Sequence, residues 1–183
     1  MNLLDVEIVT NRLLLKSISI EYKENIFSEF TEEITTYMCP QSPREISETE
    51  TFIQEGIAQL TSGSDLRVVI LKKETQEFLG CAGIHGIHNV KQQHPELGIW
   101  LKKAAHGNKY GLEAIAAIKN WADANLKYEY LSYPVDRRNV ASRKIPEALG
   151  GQISREYEHI KMNGNILHLL EYRIYPNTKQ VSG

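Results

Sequence analysis

The chain has 183 residues, 42% apolar and 24% charged, which suits one globular domain with a sizeable core and excludes disorder. A formal charge of −2 lacks the basic excess of a dedicated nucleic-acid binder, and no apolar run approaches the roughly 18–20 residues of a membrane span. The start MNLLDVEIVTNRLLL carries acids where a signal peptide would carry base, so a cytoplasmic protein is expected; Cys39 and Cys81, without CxxC spacing, read as buried thiols.

Glu7 to Ile18 alternates as a strand, with Leu13 and Leu15 on one face and Arg12, Leu14 and Lys16 on the other. Ile20 to Phe30 places Tyr22, Ile26, Phe27 and Phe30 on a helical stripe, and Thr36 to Arg44 holds two prolines and reads as a loop. A second helix is expected over Ser47 to Leu60, opened by a capping box of Ser47 and Glu50 and burying Phe52, Ile53, Ile57 and Leu60. From Arg67 the period changes to that of two strands around a polar turn at Lys73 to Gln76. After polar His88 to His94 come a strand, Glu96 to Leu101, a basic loop with two glycines, and a helix, LEAIAAIKNWADANL. Tyr128 to Val135 is a strand, and Asn139 to Leu149 a short helix stopped by Gly150 and Gly151. Strands at Gln152 to Lys161 and Ile166 to Tyr175 flank the turn Asn163, Gly164, Asn165. These elements predict an α/β (α+β) class: a mixed sheet covered on both faces, one domain over 1–176 and a polar tail over 177–183.

The chemistry concentrates in PELGIWLKKAAHGNKYG, from Pro95 to Gly111, where an apolar strand passes through a loop into a helix. The first amides of a helix have no partner within it and its dipole is positive there, so an anion can supply the missing acceptors. Gly107 and Gly111 permit close approach of backbone or ligand. An ordinary tight turn before a packed helix is the competing interpretation, and neither GxxxxGK(S/T) nor a strand-borne GxGxxG is present.

Three stretches together resemble one family. TNRLLLKS is similar to an opening strand T-x-R-L-x-L-R; ELGIWL with HGNKYGLEA resembles an E-x-G-Y-W-L strand and an Arg/Gln-x-x-G-x-Gly/Ala pyrophosphate loop; DRRNVASRKIPEALGG is similar to N-x-x-S-x-x-x-x-E-x-x-G. In this order they resemble the GNAT superfamily of acyl-CoA N-acyltransferases, in the branch of ribosomal-protein N-terminal acetyltransferases (RimJ/RimL-like). The chain departs from the pattern at His106, where the family has Arg or Gln, and at Lys109, where it has Gly. Pro146 stands where many members carry a thiolate-protonating tyrosine, and His168 where the branch has aspartate.

The resemblance implies a single-domain, mostly antiparallel sheet of about seven strands with helices on both faces, and direct acetyl transfer from acetyl-CoA to a primary amine without a metal. It assigns the pyrophosphate to His106, Gly107, Asn108, Lys109, Tyr110 and Gly111, and the pantetheine arm to the backbone of Gly98, Ile99, Trp100 and Leu101 and to Asn139. Ser142 is the implied proton donor to the thiolate, and Arg143 and Lys144 either meet CoA phosphates or form a solvated helix face. Glu96 is the first candidate base, against a plain salt-bridged strand residue, and His168 the second, against a packed core histidine. Phe30, Tyr37, Met38 and Phe52 either line an acceptor pocket or belong to the core, and His85, His88 and His94 lack a metal-site frame. The expected partners are acetyl-CoA and an amine, either a protein N-terminus or a small molecule, with a homodimer admitted and neither nucleic acid nor membrane. Lys109, Pro146 and His168 favour the alternative of a catalytically impaired CoA-binding or regulatory module; ELGIWL, Asn139 and Ser142 oppose it.

Overall fold

β-Branched and leucine-rich runs supply most of the strands, and residues 1–88 and 94–177, which the computed structural model describes, bring them into one sheet. The order along the chain is β1 (Glu7–Val9), β2 (Leu13–Ser17), α1 (Lys23–Glu29), α2 (Glu32–Thr35), α3 (Ile46–Ser62), β3 (Leu66–Lys72), β4 (Phe78–His85) and β5 (Glu96–Leu101). It continues with α4 (Tyr110–Asn125), β6 (Leu131–Asp136), α5 (Val140–Ala148), β7 (Gln152–Ile160) and β8 (Ile166–Ile174). The eight strands are ordered β1-β2-β3-β4-β5-β6-β8-β7, and all neighbours are antiparallel except β5 and β6.

The structure corrects the expected count of seven strands to eight, because Glu7 to Ile18 is a hairpin rather than one strand. Thr10 N–H donates to Leu13 O at 2.9 Å and Thr10 Oγ1 accepts from Leu13 N–H at 2.9 Å, which folds β1 back so that Ile8 pairs with Leu15. The capping box is also displaced: Glu45 caps α3 and Glu48 accepts its N–H at 2.9 Å, so a glutamate reaching the third helical amide does what Ser47 was expected to do. The helix expected over Ile20 to Phe30 opens with a 3-10 turn, and the four residues of α2, capped by Thr31, were too few to show a period. The expected tail lies outside the described residues except for Asn177, as do residues 89–93 of the polar segment before β5.

Alternation along β5 separates the two faces. Trp100 meets Phe30 at 4.6 Å on the side covered by α1 and α3, whereas Ile99 and Leu101 face Gly111 of α4 on the other. Ile53 and Leu60 of α3 and Ile115 and Ile118 of α4 have no exposed surface; each such side chain stabilises the fold by about 1.5–3 kcal/mol. Glu113, in the first turn of α4, is tied to the β1–β2 turn by Thr10 Oγ1 (2.6 Å), Arg12 N–H (2.8 Å) and Arg12 Nε (2.7 Å). TNRLLLKS thus anchors the start of the helix that follows the loop. At the other end of the sheet, Lys161 in the β7–β8 turn donates to Thr35 O of α2 at 2.8 Å. Among the described residues no helix is long and apolar enough to cross a membrane.

Candidate active site

The parallel pair β5–β6 holds at one point. Glu96 pairs with Ser132, whose N–H donates to Pro95 O at 2.9 Å, and beyond it the strands part, leaving Gly98 to Leu101 without a partner strand on that side. A cavity of about 650 Å³ lies on the α1/α3 face and one of about 560 Å³ on the α4/α5 face. Met38, Ile99, Trp100, Asn139 and Ser142 line both, so the gap between the strands is a neck joining the two faces. Of the expected pantetheine-binding residues, Ile99 and Trp100 lie at the neck, Gly98 towards the first cavity and Leu101 towards the second.

The second cavity reaches the start of α4. Its first intrahelical bond runs from Glu113 N–H to Lys109 O at 3.2 Å, so the amides of Tyr110, Gly111 and Leu112 precede the ladder, and no side chain caps them. Gly107 has φ +82°, and Gly111 is required by packing, since a Cβ there would stand 3.0 Å from Ile145 Cδ1. An uncapped helix start opening on a cavity fits a pyrophosphate. His106 and Asn108 shape the loop: the His106 ring bonds Leu101 O at 2.9 Å, and Asn108 Nδ2 donates to Ala105 O (3.3 Å) and His106 O (3.1 Å). Tyr110 lies under Arg12, 4.6 Å from ring centroid to guanidinium, and lines neither cavity. Lys144 lines the second cavity, while Arg143 is engaged with Tyr172 OH at 3.2 Å and Arg137 O at 3.2 Å.

Lys109 itself is left-handed, at φ 60° and ψ 21°, a conformation that favours glycine. A non-glycine residue loses about 1–2 kcal/mol there, so Lys109→Gly is expected to raise unliganded stability by about 1 kcal/mol in urea denaturation. The same variant loses a cation beside the helix start, so its affinity for CoA should fall, and fall less as salt is added. Tighter CoA binding by Lys109→Gly at every salt concentration would make the lysine an obstruction.

At the neck the Ser142 hydroxyl meets Tyr133 OH at 2.7 Å. Burial pushes the Tyr133 phenol up to about 12, against a smaller opposing effect of the Ser142 bond. Asn139 caps α5 by accepting Ser142 N–H at 3.3 Å, and its amide donors have no protein partner among the described residues. Pro146 lies inside α5 and provides no N–H for the Ser142 carbonyl one turn back. Tyr133 escaped the sequence because YEYLSYPV carries only a strand pattern.

The first cavity contains the candidate base. Glu96 faces its open space while protein walls surround it; this burial raises its pKa, His85 lowers it, and Glu171 raises it further. His85, directly across the β4–β5 ladder, bonds Asp65 Oδ2 through Nδ1 at 3.0 Å, and Asp65 Oδ1 accepts from Gly86 N–H at 3.2 Å. Burial works to raise the Asp65 pKa, but the His85 bond, the Gly86 amide and Arg67 outweigh it, so Asp65 is held below the usual range. The Asp65 bond orients the His85 ring through Nδ1 and sets Nε2 beside Gly98, where a Cβ would lie 3.2 Å from it. No sequence pattern linked Asp65 to His85, because the pair is made across two strands. Phe30, Tyr37, Met38 and Phe52 all line this cavity. His168 does not join Glu96: it lines neither cavity and pairs with Glu158 at 3.3 Å, on the side of β8 opposite Leu169. Among the described residues no group of three or more His, Cys, Asp or Glu side chains is placed to hold a metal ion.

Residues 12–152 match the family model described as "Acetyltransferase (GNAT) domain". The N-acetyltransferase YoaA of Bacillus subtilis, itself described as uncharacterized, is 25% identical over 152 residues, covering 81% of this chain and 85% of that protein. The solved structure of RimL, the ribosomal L7/L12 alpha-N-protein acetyltransferase in complex with coenzyme A, has a TM-score of 0.84 at 14% identity, covering 95% of this chain and 100% of the other. The ribosomal-protein-S5-alanine acetyltransferase of Vibrio fischeri has a TM-score of 0.79 at 14% identity, covering 95% and 98%. At these identities the structural likeness is one of fold.

Proposed function

The chain belongs to the GNAT acetyltransferase family, and on that premise we propose that Glu96, Ser142 and the loop before α4 carry its acetyl-CoA-dependent N-acetylation. The neck between β5 and β6 carries the reading: a cosubstrate in the second cavity and an amine in the first can meet there, where among the described residues Met38, Ile99, Trp100, Asn139 and Ser142 line both. Acetyl-CoA supplies an activated acetyl thioester.

The residues of this chain do the rest. Amides of Tyr110, Gly111 and Leu112, with Lys109, receive the pyrophosphate, and the unpaired edge of Gly98 to Leu101 offers backbone groups to the pantetheine amides. Ser142 gives its proton to the departing sulfur, and Tyr133 OH, 2.7 Å behind it, can replace that proton. Glu96 accepts the proton of the attacking amine, with His85 beside it. Asn139 holds α5 in place with its oxygen and keeps its amide donors for the CoA arm. A protein N-terminus and a small-molecule amine are both admitted as acceptors, and β7 offers an exposed edge to a homodimer.

Two experiments test this. Acetyl-CoA, but not ATP, should raise the melting temperature, since ligand at 100 times its Kd adds about 2.7 kcal/mol. Ser142→Ala should lower kcat about ten- to a hundredfold, because water partly replaces a weak acid for a thiolate, while Asn139→Ala should act on CoA affinity. Identical kinetic profiles for the two variants would overturn the division of roles.

A further inference from the structure

The first cavity contains a guanidinium, that of Arg67, which forms one long ion pair with Asp65 at 3.6 Å and whose Nε, among the described residues, is buried with no hydrogen-bond partner. Arg67 rises from β3 between Gly56 and Phe52; its Cδ would stand 3.1 Å from a Cβ on Gly56, and its Cζ lies 5.1 Å from the Phe52 ring. Its side chain is 18% exposed, and among the described residues it donates no hydrogen bond; its nearest acid, Asp65, is 3.6 Å away. Asp65 is already committed to the His85 ring and the Gly86 amide. Guanidinium burial without acceptors is unfavourable, so the place calls for an anion.

Two neighbours agree. Thr49 of α3 is 2% exposed and lines the same cavity, and its Oγ1, like Arg67 Nε, is buried with no hydrogen-bond partner among the described residues. Arg44, at the rim, also forms no ion pair among the described residues, because nearby Glu48 is occupied by the amides of Arg44 and Glu45. The acids around this half of the cavity accept hydrogen bonds from within the protein, whereas among the described residues the side chains of Arg67 and Arg44 donate none. Among the described residues the other acid lining the cavity is Glu96, on β5.

The floor between the two ends is built on glycine: Arg67 pairs with Gly83 and Gly83 with Gly98, so neither glycine puts a Cβ into that row, and the side chain bordering it is His85, whose Nε2 lies beside Gly98. Two strand spacings, about 10 Å between backbones, separate β3 from β5, and Glu96 lies two residues along β5 from Gly98; the Arg67 side chain spans part of that distance.

On the reading of Glu96 as proton acceptor, we propose that the acceptor amine carries a carboxylate, which docks on Arg67 and Thr49 while its amino group reaches Glu96. A free amino acid and the C-terminus of a short peptide both present that chemistry, with Phe30, Phe52 and Trp100 as apolar walls for the side chain.

Matched probes test it: L-leucine against isoamylamine, which lacks only the carboxylate, and Gly-Leu against Gly-Leu amide, with CoA release and melting of the CoA complex as readouts. The carboxylate member of at least one pair should be favoured by about a hundredfold in kcat/KM, since a site built to bond a group rejects the analogue lacking it, and should alone raise the melting temperature. The pair that responds tells an amino acid from a peptide. Arg67→Gln should abolish the preference and Thr49→Val reduce it, both with unchanged acetyl-CoA affinity; Arg67→Lys should retain part. Equal use of both members of each pair, or an unaltered preference in folded Arg67→Gln, would overturn the proposal. So would a wild-type protein that binds acetyl-CoA yet neither binds nor acetylates a carboxylate probe. Failure to bind acetyl-CoA at all would instead remove the reading on which the proposal rests.

Discussion

Glu96→Gln is expected to lower kcat at neutral pH by about 10²–10³-fold with the KM for acetyl-CoA unchanged, because it removes a positioned proton acceptor and leaves the loop before α4 intact. Burial, with Glu171 adding to it, raises the Glu96 pKa, so the acid limb of the wild-type rate lies above the ordinary carboxylate value. His85 acts the other way, and His85→Leu should move that limb to still higher pH. In Glu96→Gln the limb disappears and only the titration of the amine remains, so the deficit narrows as pH rises from 6 to about 9. Stability gives an internal control. A carboxyl whose folded pKa is raised holds its proton more tightly folded than unfolded, so its ionised form destabilises the protein above that pKa. Glu96→Gln should therefore melt no lower than wild type at neutral pH. Wild-type rates across the whole span would remove Glu96 from the mechanism.

Local chemistry made much of this legible in the sequence. Prolines kept Thr36 to Arg44 out of the helices, and ELGIWL and HGNKYGLEA showed the strand, loop and helix that became β5 and α4, with Lys109, where the resemblance has Gly, at positive φ. What escaped depends on long-range pairing. The β1–β2 turn is held partly by Glu113, about a hundred positions on, and nothing in TNRLLLKS signals a break. The Asp65–His85 pair, the Tyr133–Ser142 contact and the place of the Arg67 guanidinium arise where residues of different elements meet, and no helix or strand period relates Asp65 to His85, Tyr133 to Ser142 or Phe52 to Arg67. His168 was carried by alignment alone, and alternation along β8 turns it away from the cavity.

The largest stability effect is expected at Asp136, the last residue of β6 and three before Asn139. Its side chain has no exposed surface and accepts from Arg138 N–H (2.9 Å), Arg138 Nε (2.8 Å), Arg138 Nη2 (2.9 Å) and His168 N–H (2.9 Å). Burial works against the charged form, but the Arg138 side chain, the two amides and the Arg138 charge outweigh it and pull the carboxyl down to about 2. Asp136→Ala leaves the amides of Arg138 and His168 without their acceptor, at about 1–3 kcal/mol for each that stays buried, while the half-exposed Arg138 guanidinium turns to water; the sum is still a large share of a domain's stability of about 5–15 kcal/mol. In wild type the Asp136 contribution is fully present above the unfolded carboxylate pKa and is lost as pH falls through about 2, an amplitude of about 2 kcal/mol. Asp136→Asn keeps the shape and should lack that acid-dependent component, so urea midpoints at several pH values between about 2 and 5 separate charge from packing. Because this anchor sets where β6 turns into α5, Asp136→Asn should also lose turnover, by displacing Asn139 and Ser142 from the neck. A loss below about 1 kcal/mol in Asp136→Ala would mean that the turn is held by other contacts, and that the geometry of the neck does not depend on this carboxylate.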